Sequence, residues 1–151
     1  MLRRLTEKGV FEAKSLGERL RIKQIFPDLI VCSPATRTRL TAMLVAKAVD
    51  YPILEIKEAA SLYGATPRTY LEVVNSTDDA VKILAVVGHN PVTSAMPAYL
   101  TQRPFDVMPT AGCVALEIKT ERWAYVSLGT ATFKWQFRPP PFIRPDPYKI
   151  G

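Results

Sequence analysis

The stretch Ile83-Leu84-Ala85-Val86-Val87-Gly88-His89-Asn90-Pro91 decides how this chain is read. Its first five residues are apolar and three of them are β-branched, which predicts a strand buried on both faces inside a parallel sheet. Asn90 suits an N-cap and Pro91 suits a first helical position, so a helix is predicted to start there. His89, the one histidine among 151 residues, therefore falls between the C-terminal end of a strand and the N-terminus of a helix. In open α/β sheets ligands bind at that edge, and helix N-termini favour anions.

A second turn of the same kind lies upstream. Leu29-Ile30-Val31-Cys32 reads as a short buried strand, and Ser33-Pro34-Ala35-Thr36 opens a helix with Leu40, Met43, Leu44 and Ala48 toward the core. Arg37 falls in the first turn of that helix, where a guanidinium and free backbone N–H groups can grip a phosphate together. The two turns, one bearing Arg37 and one bearing His89, can converge on one anion.

Around these turns the pattern alternates. Val10, Ala13, Leu16 or Gly17, and Leu20 have helical spacing behind a Thr6 cap. Ile53-Leu54-Glu55-Ile56 reads as a strand, and Thr66-Pro67 caps a helix containing Tyr70, Leu71, Val73 and Val74. Pro97 is predicted to bend or interrupt the helix that begins at Pro91. Segments 113–118, 123–127 and 132–137 read as strands. From Arg138 onward five prolines fall among fourteen residues, predicting an extended tail without its own core. The expectation is an α/β domain over residues 1–137, a three-layer α/β/α arrangement around a mostly parallel sheet, followed by a Pro-rich tail over 138–151.

Composition bounds the function classes. Hydrophobic content of 48% and charged content of 23% are those of an ordinary globular domain. No apolar run reaches the ~18 residues of a membrane span, and the N-terminus has no apolar core of a signal peptide. With only two cysteines, Cys32 and Cys113, reduced thiols and a cytoplasmic location are expected. The net charge of +6 resides in residues 1–26 and 138–151, the middle of the chain summing to zero. Without basic–aromatic repeats that distribution gives little support to a nucleic-acid partner.

Several chemistries drop out. Four residues separate Cys32 from Arg37, where a cysteine phosphatase loop has five, and Pro34 removes an N–H donor. One histidine and two distant cysteines form no metal cluster, and neither a Walker loop nor a Gly-x-Ser-x-Gly elbow is present.

Leu5-Thr6-Glu7-Lys8-Gly9, then Cys32-Ser33-Pro34-Ala35-Thr36-Arg37-Thr38-Arg39-Leu40-Thr41-Ala42, then Gly88-His89-Asn90-Pro91, together resemble the histidine phosphatase superfamily. The small size, with Leu62-Tyr63, Pro109-Thr110-Ala111-Gly112 and Thr132-Phe133-Lys134-Trp135-Gln136-Phe137, is similar to its SixA-type phosphohistidine phosphatases. The resemblance spans Leu5 to Phe137 and implies a phosphoglycerate-mutase-like fold. It implies that a nucleophilic histidine, in an Arg-His-Gly motif on a first central strand, becomes phosphorylated, while a second histidine and two arginines bind the equatorial oxygens. Arg37 matches one of those arginines and His89 the second histidine, with Asn90 beside it as a phosphate-binding residue. Glu58 is the candidate general acid. Leu40 stands where the family usually has Gln.

The Arg-His-Gly motif has no counterpart in these residues, so the resemblance implies a domain without its first central strand and, as given, without activity. Three functions follow as expectations. First is a phosphatase acting on a phosphohistidine protein or a small phosphoester without metal or cofactor; second, a non-catalytic phosphate- or phosphoprotein-binding module; third, a nucleic-acid binder using the basic ends.

Overall fold

The computed structural model describes residues 4–144 together with 146 and 148. Helix α1 (Glu7–Ile22) starts where the Thr6 hydroxyl accepts a 3.0 Å hydrogen bond from the Gly9 N–H, and buries Gly9, Glu12, Ala13, Leu16, Gly17 and Leu20. Its partner α2 (Thr36–Ala48) buries Thr38, Ala42, Val45 and Ala46. The expected core positions Leu40, Met43, Leu44 and Ala48 are only half-buried. Close approach of the two helices selects small residues at the contact: a Cβ on Gly17 would come within 2.5 Å of the Ala48 Cβ. Gly17→Val is therefore expected to cost about 1–3 kcal/mol through overpacking. A lower urea midpoint with an unchanged m-value would report it.

Strand β1 (Leu29–Cys32) is the middle of a three-stranded parallel sheet, flanked by β2 (Lys57–Glu58) and β3 (Leu84–Val87) in the order β2-β1-β3. Leu29 through Cys32 run in register with Leu84 through Val87. Strands β4 (Cys113–Ile118) and β5 (Ala131–Phe137) pair antiparallel. A bulge at Lys134, between the Ala115–Trp135 and Leu116–Phe133 pairs, turns Trp135 and Phe137 to one face and Ala131 to the other.

Two expected strands are single 3-10 turns. Ile53–Glu55 is one, because Tyr51 donates its hydroxyl to the Glu55 carbonyl at 2.8 Å and curls the segment back, leaving Leu54 98% exposed. Trp123–Tyr125 is the other, held by the Asn75 side-chain amide, which donates to the Trp123 and Val126 carbonyls.

The layers follow from which residues share a core. Ala85 and Val87 of β3, with Cys113, Trp135 and Phe137, belong to the cluster under α1 and α2. Leu84 and Val86, with Leu116, Ile118 and Ala131, belong to the cluster under α3 (Pro67–Asn75) and α4 (Val92–Thr101). The result is a mixed α/β fold, helices covering both faces of a parallel sheet. The β4–β5 pair lines both cores, yet among the described residues no backbone ladder joins it to β3. For that reason β3, though packed on both faces as the sequence predicts, is only half-buried along its length; β1 is the deeply buried strand.

Helix α3 has the predicted cap, Thr66 and Thr69 exchanging side-chain-to-backbone hydrogen bonds. Helix α4 departs from expectation twice. Pro91 itself occupies the N-cap, after a cis Asn90–Pro91 bond, so Asn90 is not the cap. Pro97 is buried within the helix, as are Met96 and Leu100, and does not interrupt it, although its missing N–H forgoes one intrahelical hydrogen bond.

Candidate functional site

The three parallel strands end at one edge, and the chain leaves each of them there. Beyond β1 the Ser33 N–H donates to the Val87 carbonyl at 3.0 Å, and beyond β2 the Ala59 N–H donates to the Cys32 carbonyl at 2.9 Å. Ser33 is thereby fixed beside Gly88-His89, with no exposed surface. The Thr38 hydroxyl, 2.8 Å from the carbonyls of both Ser33 and Ala35, pins the turn into α2. Gly88 is required by space: a Cβ there would meet the Thr93 Oγ1 at 2.9 Å and the Tyr70 ring at 3.3 Å.

On this edge Arg37 and His89 meet. Arg37 Nη2 lies 3.2 Å from His89 Nδ1, and His89 Nε2 lies 2.8 Å from the Ser33 Oγ. A guanidinium only donates, so Nδ1 is the acceptor and Nε2 carries the ring proton, which it donates to Ser33. The Ala35 N–H donates to the same Ser33 oxygen at 3.3 Å. Burial first, and the neighbouring Arg37 charge second, hold the imidazole below its ordinary value of 6.5.

The sign of the resulting pH dependence is fixed. An unfolded chain takes up the imidazole proton as pH falls below about 6.5 while the folded chain resists it. His89 therefore contributes stability that is present above that pH and is lost as pH falls through the lower folded value. A histidine ring titration by NMR should give a midpoint below 6.5, and a midpoint above it would contradict this geometry.

The other sequence candidates sit differently. Glu58 forms a 2.8 Å ion pair with Arg39, both about half exposed, and makes no hydrogen bond with Arg37 or His89 among the described residues. The Asn90 amide donates from Nδ2 to the Met108 carbonyl at 2.9 Å, and its Oδ1 accepts from the Ser94 hydroxyl. Tyr63 sets its ring edge-on to His89, centroids 5.9 Å apart. The Cys32 thiol is pushed up to about 11 by burial and then by Glu58, so at neutral pH it is protonated and a poor nucleophile. Among the described residues no group of three His, Cys, Asp or Glu side chains could hold a metal ion.

Sequence reasoning placed Ser33 in the turn before Arg37 without giving it a role, and passed over Ser94. Ser33 had a usable signal: it directly follows the short apolar strand Leu29–Cys32 and opens the turn that carries Arg37. Ser94 had none, since its partner Met108 is fourteen residues away in a loop.

The model of the histidine phosphatase superfamily (branch 1) matches residues 3–62, through α1, the Ser33–Arg37 turn and β2. An uncharacterized protein of Mycobacterium tuberculosis is 36% identical over 139 residues, covering 85% of this chain and 84% of its own. The chain belongs to the histidine phosphatase superfamily. An uncharacterized protein of Mycobacterium leprae is 30% identical over 138 residues, covering 85% of this chain and 82% of its own.

Solved structures of that superfamily share the fold. One, assigned as the phosphohistidine phosphatase SixA of Nakamurella multipartitia, superposes with a TM-score of 0.77 at 24% identity over 92% of this chain and 88% of its own. The protein histidine phosphatase SixA complexed with tungstate gives 0.77 at 19% identity over 91% and 85%. No helix among the described residues of this superfamily member is long and apolar enough to cross a membrane.

Proposed function

We propose that this superfamily member is the phosphoryl-binding body of a phosphohistidine phosphatase working through a phosphohistidine intermediate. The observation that carries the proposal is the Arg37–His89 pair at the carboxyl edge of the sheet, 3.2 Å apart and braced by buried Ser33. A phosphoryl group entering here takes Arg37 as a fork of N–H donors. Arg37 then leaves His89 Nδ1 free beside a dianion, which favours a proton on that nitrogen, while Ser33 keeps Nε2–H in place. Arginine and imidazolium together oppose the charge on the equatorial oxygens as the phosphorus is attacked. Asn90 contributes through its main chain, its side-chain amide being committed to Met108 and Ser94.

Since His89 is the one histidine in the sequence and serves as an oxygen-binding group, the nucleophilic histidine comes from outside these 151 residues. The β3 edge that carries no ladder among the described residues, toward β4–β5, is where the strand bearing it pairs in this reading. Glu58, as general acid, would first have to leave Arg39. The substrate is a phosphorylated protein, and the unpaired thiols Cys32 and Cys113 accord with a cytoplasmic setting.

A second reading, a phosphoprotein-binding module without catalysis, is favoured by the same single histidine. Purification of the protein from its own cells separates the two. The phosphatase reading predicts release of phosphate from a phosphohistidine protein and an acid-labile phosphoryl-enzyme. Tight phosphate binding without turnover would establish the module instead.

A further inference from the structure

Beside His89 the chain closes a ring of hydrogen bonds that the phosphoryl chemistry does not use. The Met108 N–H donates to the Ser94 Oγ at 2.9 Å, the Ser94 hydroxyl donates to the Asn90 Oδ1, and the Asn90 Nδ2 donates back to the Met108 carbonyl at 2.9 Å. Both polar groups of one residue in the Val107–Gly112 loop are thus held from the start of α4. Ser94 and Met108 are buried, so the ring closes in a place where a lost partner is costly.

The loop is stiff beyond this clamp. The Gly112 N–H turns back to the Pro109 carbonyl at 2.8 Å, and Ala111 stands at φ 55°, a conformation that L side chains rarely adopt. A Cβ on Gly112 would lie 2.9 Å from the Pro109 carbonyl oxygen. Yet the loop's outer side chains are bare: Val107 is 70% exposed and Thr110 is exposed. Tyr63, edge-on to His89, is 53% exposed as well. From Val107 to Gly112 there is no charged residue.

We propose that Ser94 is a positioning residue which, with the Asn90–Met108 bonds, holds the Val107–Gly112 loop as an uncharged wall beside His89, and that this wall receives the polypeptide around a phosphorylated side chain. The inference rests on the phosphoryl-binding reading of Arg37 and His89. An uncharged wall with an exposed valine offers apolar and backbone contacts to a peptide, and it offers no cation to a small multiply charged metabolite. A preformed wall also lowers the ordering cost of binding.

The test uses the full chain and two probes, tungstate and a short peptide carrying phosphohistidine. Ser94→Ala, and independently Gly112→Ala, should leave the tungstate dissociation constant within about twofold while weakening the peptide at least about fivefold, and Val107→Ser should do the same without touching the ring or adding a charge; each fivefold loss corresponds to about 1 kcal/mol. Hydrogen exchange at the Met108 N–H should rise in Ser94→Ala and stay protected in Ser94→Thr, which restores the hydroxyl and the peptide affinity.

Peptide affinity unchanged in all three variants, or tungstate and peptide lost in equal proportion, would overturn the assignment. Failure of the wild-type chain to bind tungstate would instead count against the phosphoryl-binding reading itself. Hydrogen exchange still judges the clamp in that case, because Met108 exchange unaffected by Ser94→Ala overturns it.

Discussion

Arg37→Ala should reduce affinity for phosphate or tungstate by roughly 10- to 150-fold, the loss expected when a charge-assisted pair worth about 1.5–3 kcal/mol is removed. The structure gives this side chain no carboxylate partner among the described residues, and its guanidinium is turned onto a neutral imidazole. A cation resting on a neutral acceptor gives up little when an oxyanion arrives, so most of the new interaction appears as affinity. Arg37→Lys should recover only part of it, because an ammonium keeps the charge and loses the two-pronged geometry.

The same substitution has a second readout. With the guanidinium gone, one of the two causes depressing His89 disappears, so the ring should titrate at higher pH in Arg37→Ala than in the wild-type protein. Isothermal titration gives the affinity and NMR the ring midpoint. An unchanged affinity together with an unmoved midpoint would show that Arg37 does not act on this ring.

Ile30→Ala should cost about 2–5 kcal/mol, as large-to-small substitutions do at fully buried sites. Ile30 has no exposed surface and lies in the middle strand, with the Tyr51 hydroxyl 3.3 Å from its backbone N–H. Its neighbours in the core include Leu16, Leu20, Val45 and Phe137, from two helices and the distant β5, so collapse around the lost atoms is restricted. Denaturant unfolding measures the loss. Leu29, at the start of the same strand and only half-buried, should tolerate the same change better.

The contrast between these two residues shows what the sequence could and could not disclose. Local chemistry was legible. Thr6, Thr66 and Pro67 announce helix starts through their own side chains and rings, and the structure keeps them. Leu29–Cys32 reads as a strand because its apolar run is short and bounded by turn residues. The pairing of Arg37 with His89 followed from two strand-to-helix turns, since parallel strands bring their C-terminal ends together.

What escaped depends on partners far along the chain. Nothing in Ile53-Leu54-Glu55-Ile56 reveals that Tyr51 will bond back to Glu55 and convert an apolar run into a turn. The apolar run before His89 promised a strand packed on both faces, and Ala85 and Val87 do enter one core while Leu84 and Val86 enter the other; what the run could not disclose is that, among the described residues, β3 has a ladder on one side only, which leaves it half-buried. Asn90 was read as a cap from its position before Pro91, whereas its side chain answers to Met108, eighteen residues away. Likewise, the close approach of α2 to α1 is set by Gly17 in another helix, which lies against Ala48 and Val45, and nothing in the sequence of α2 alone discloses it.

The measurement that bears most directly on the account is the state of the His89 ring nitrogens, followed by 15N NMR as phosphate is added at neutral pH. The account predicts a neutral ring protonated on Nε2 in the free protein, and a proton appearing on Nδ1 as Arg37 turns to the anion. A ring that keeps its tautomer and charge at saturating phosphate would contradict it, because the anion would then be bound somewhere other than the Arg37–His89 pair.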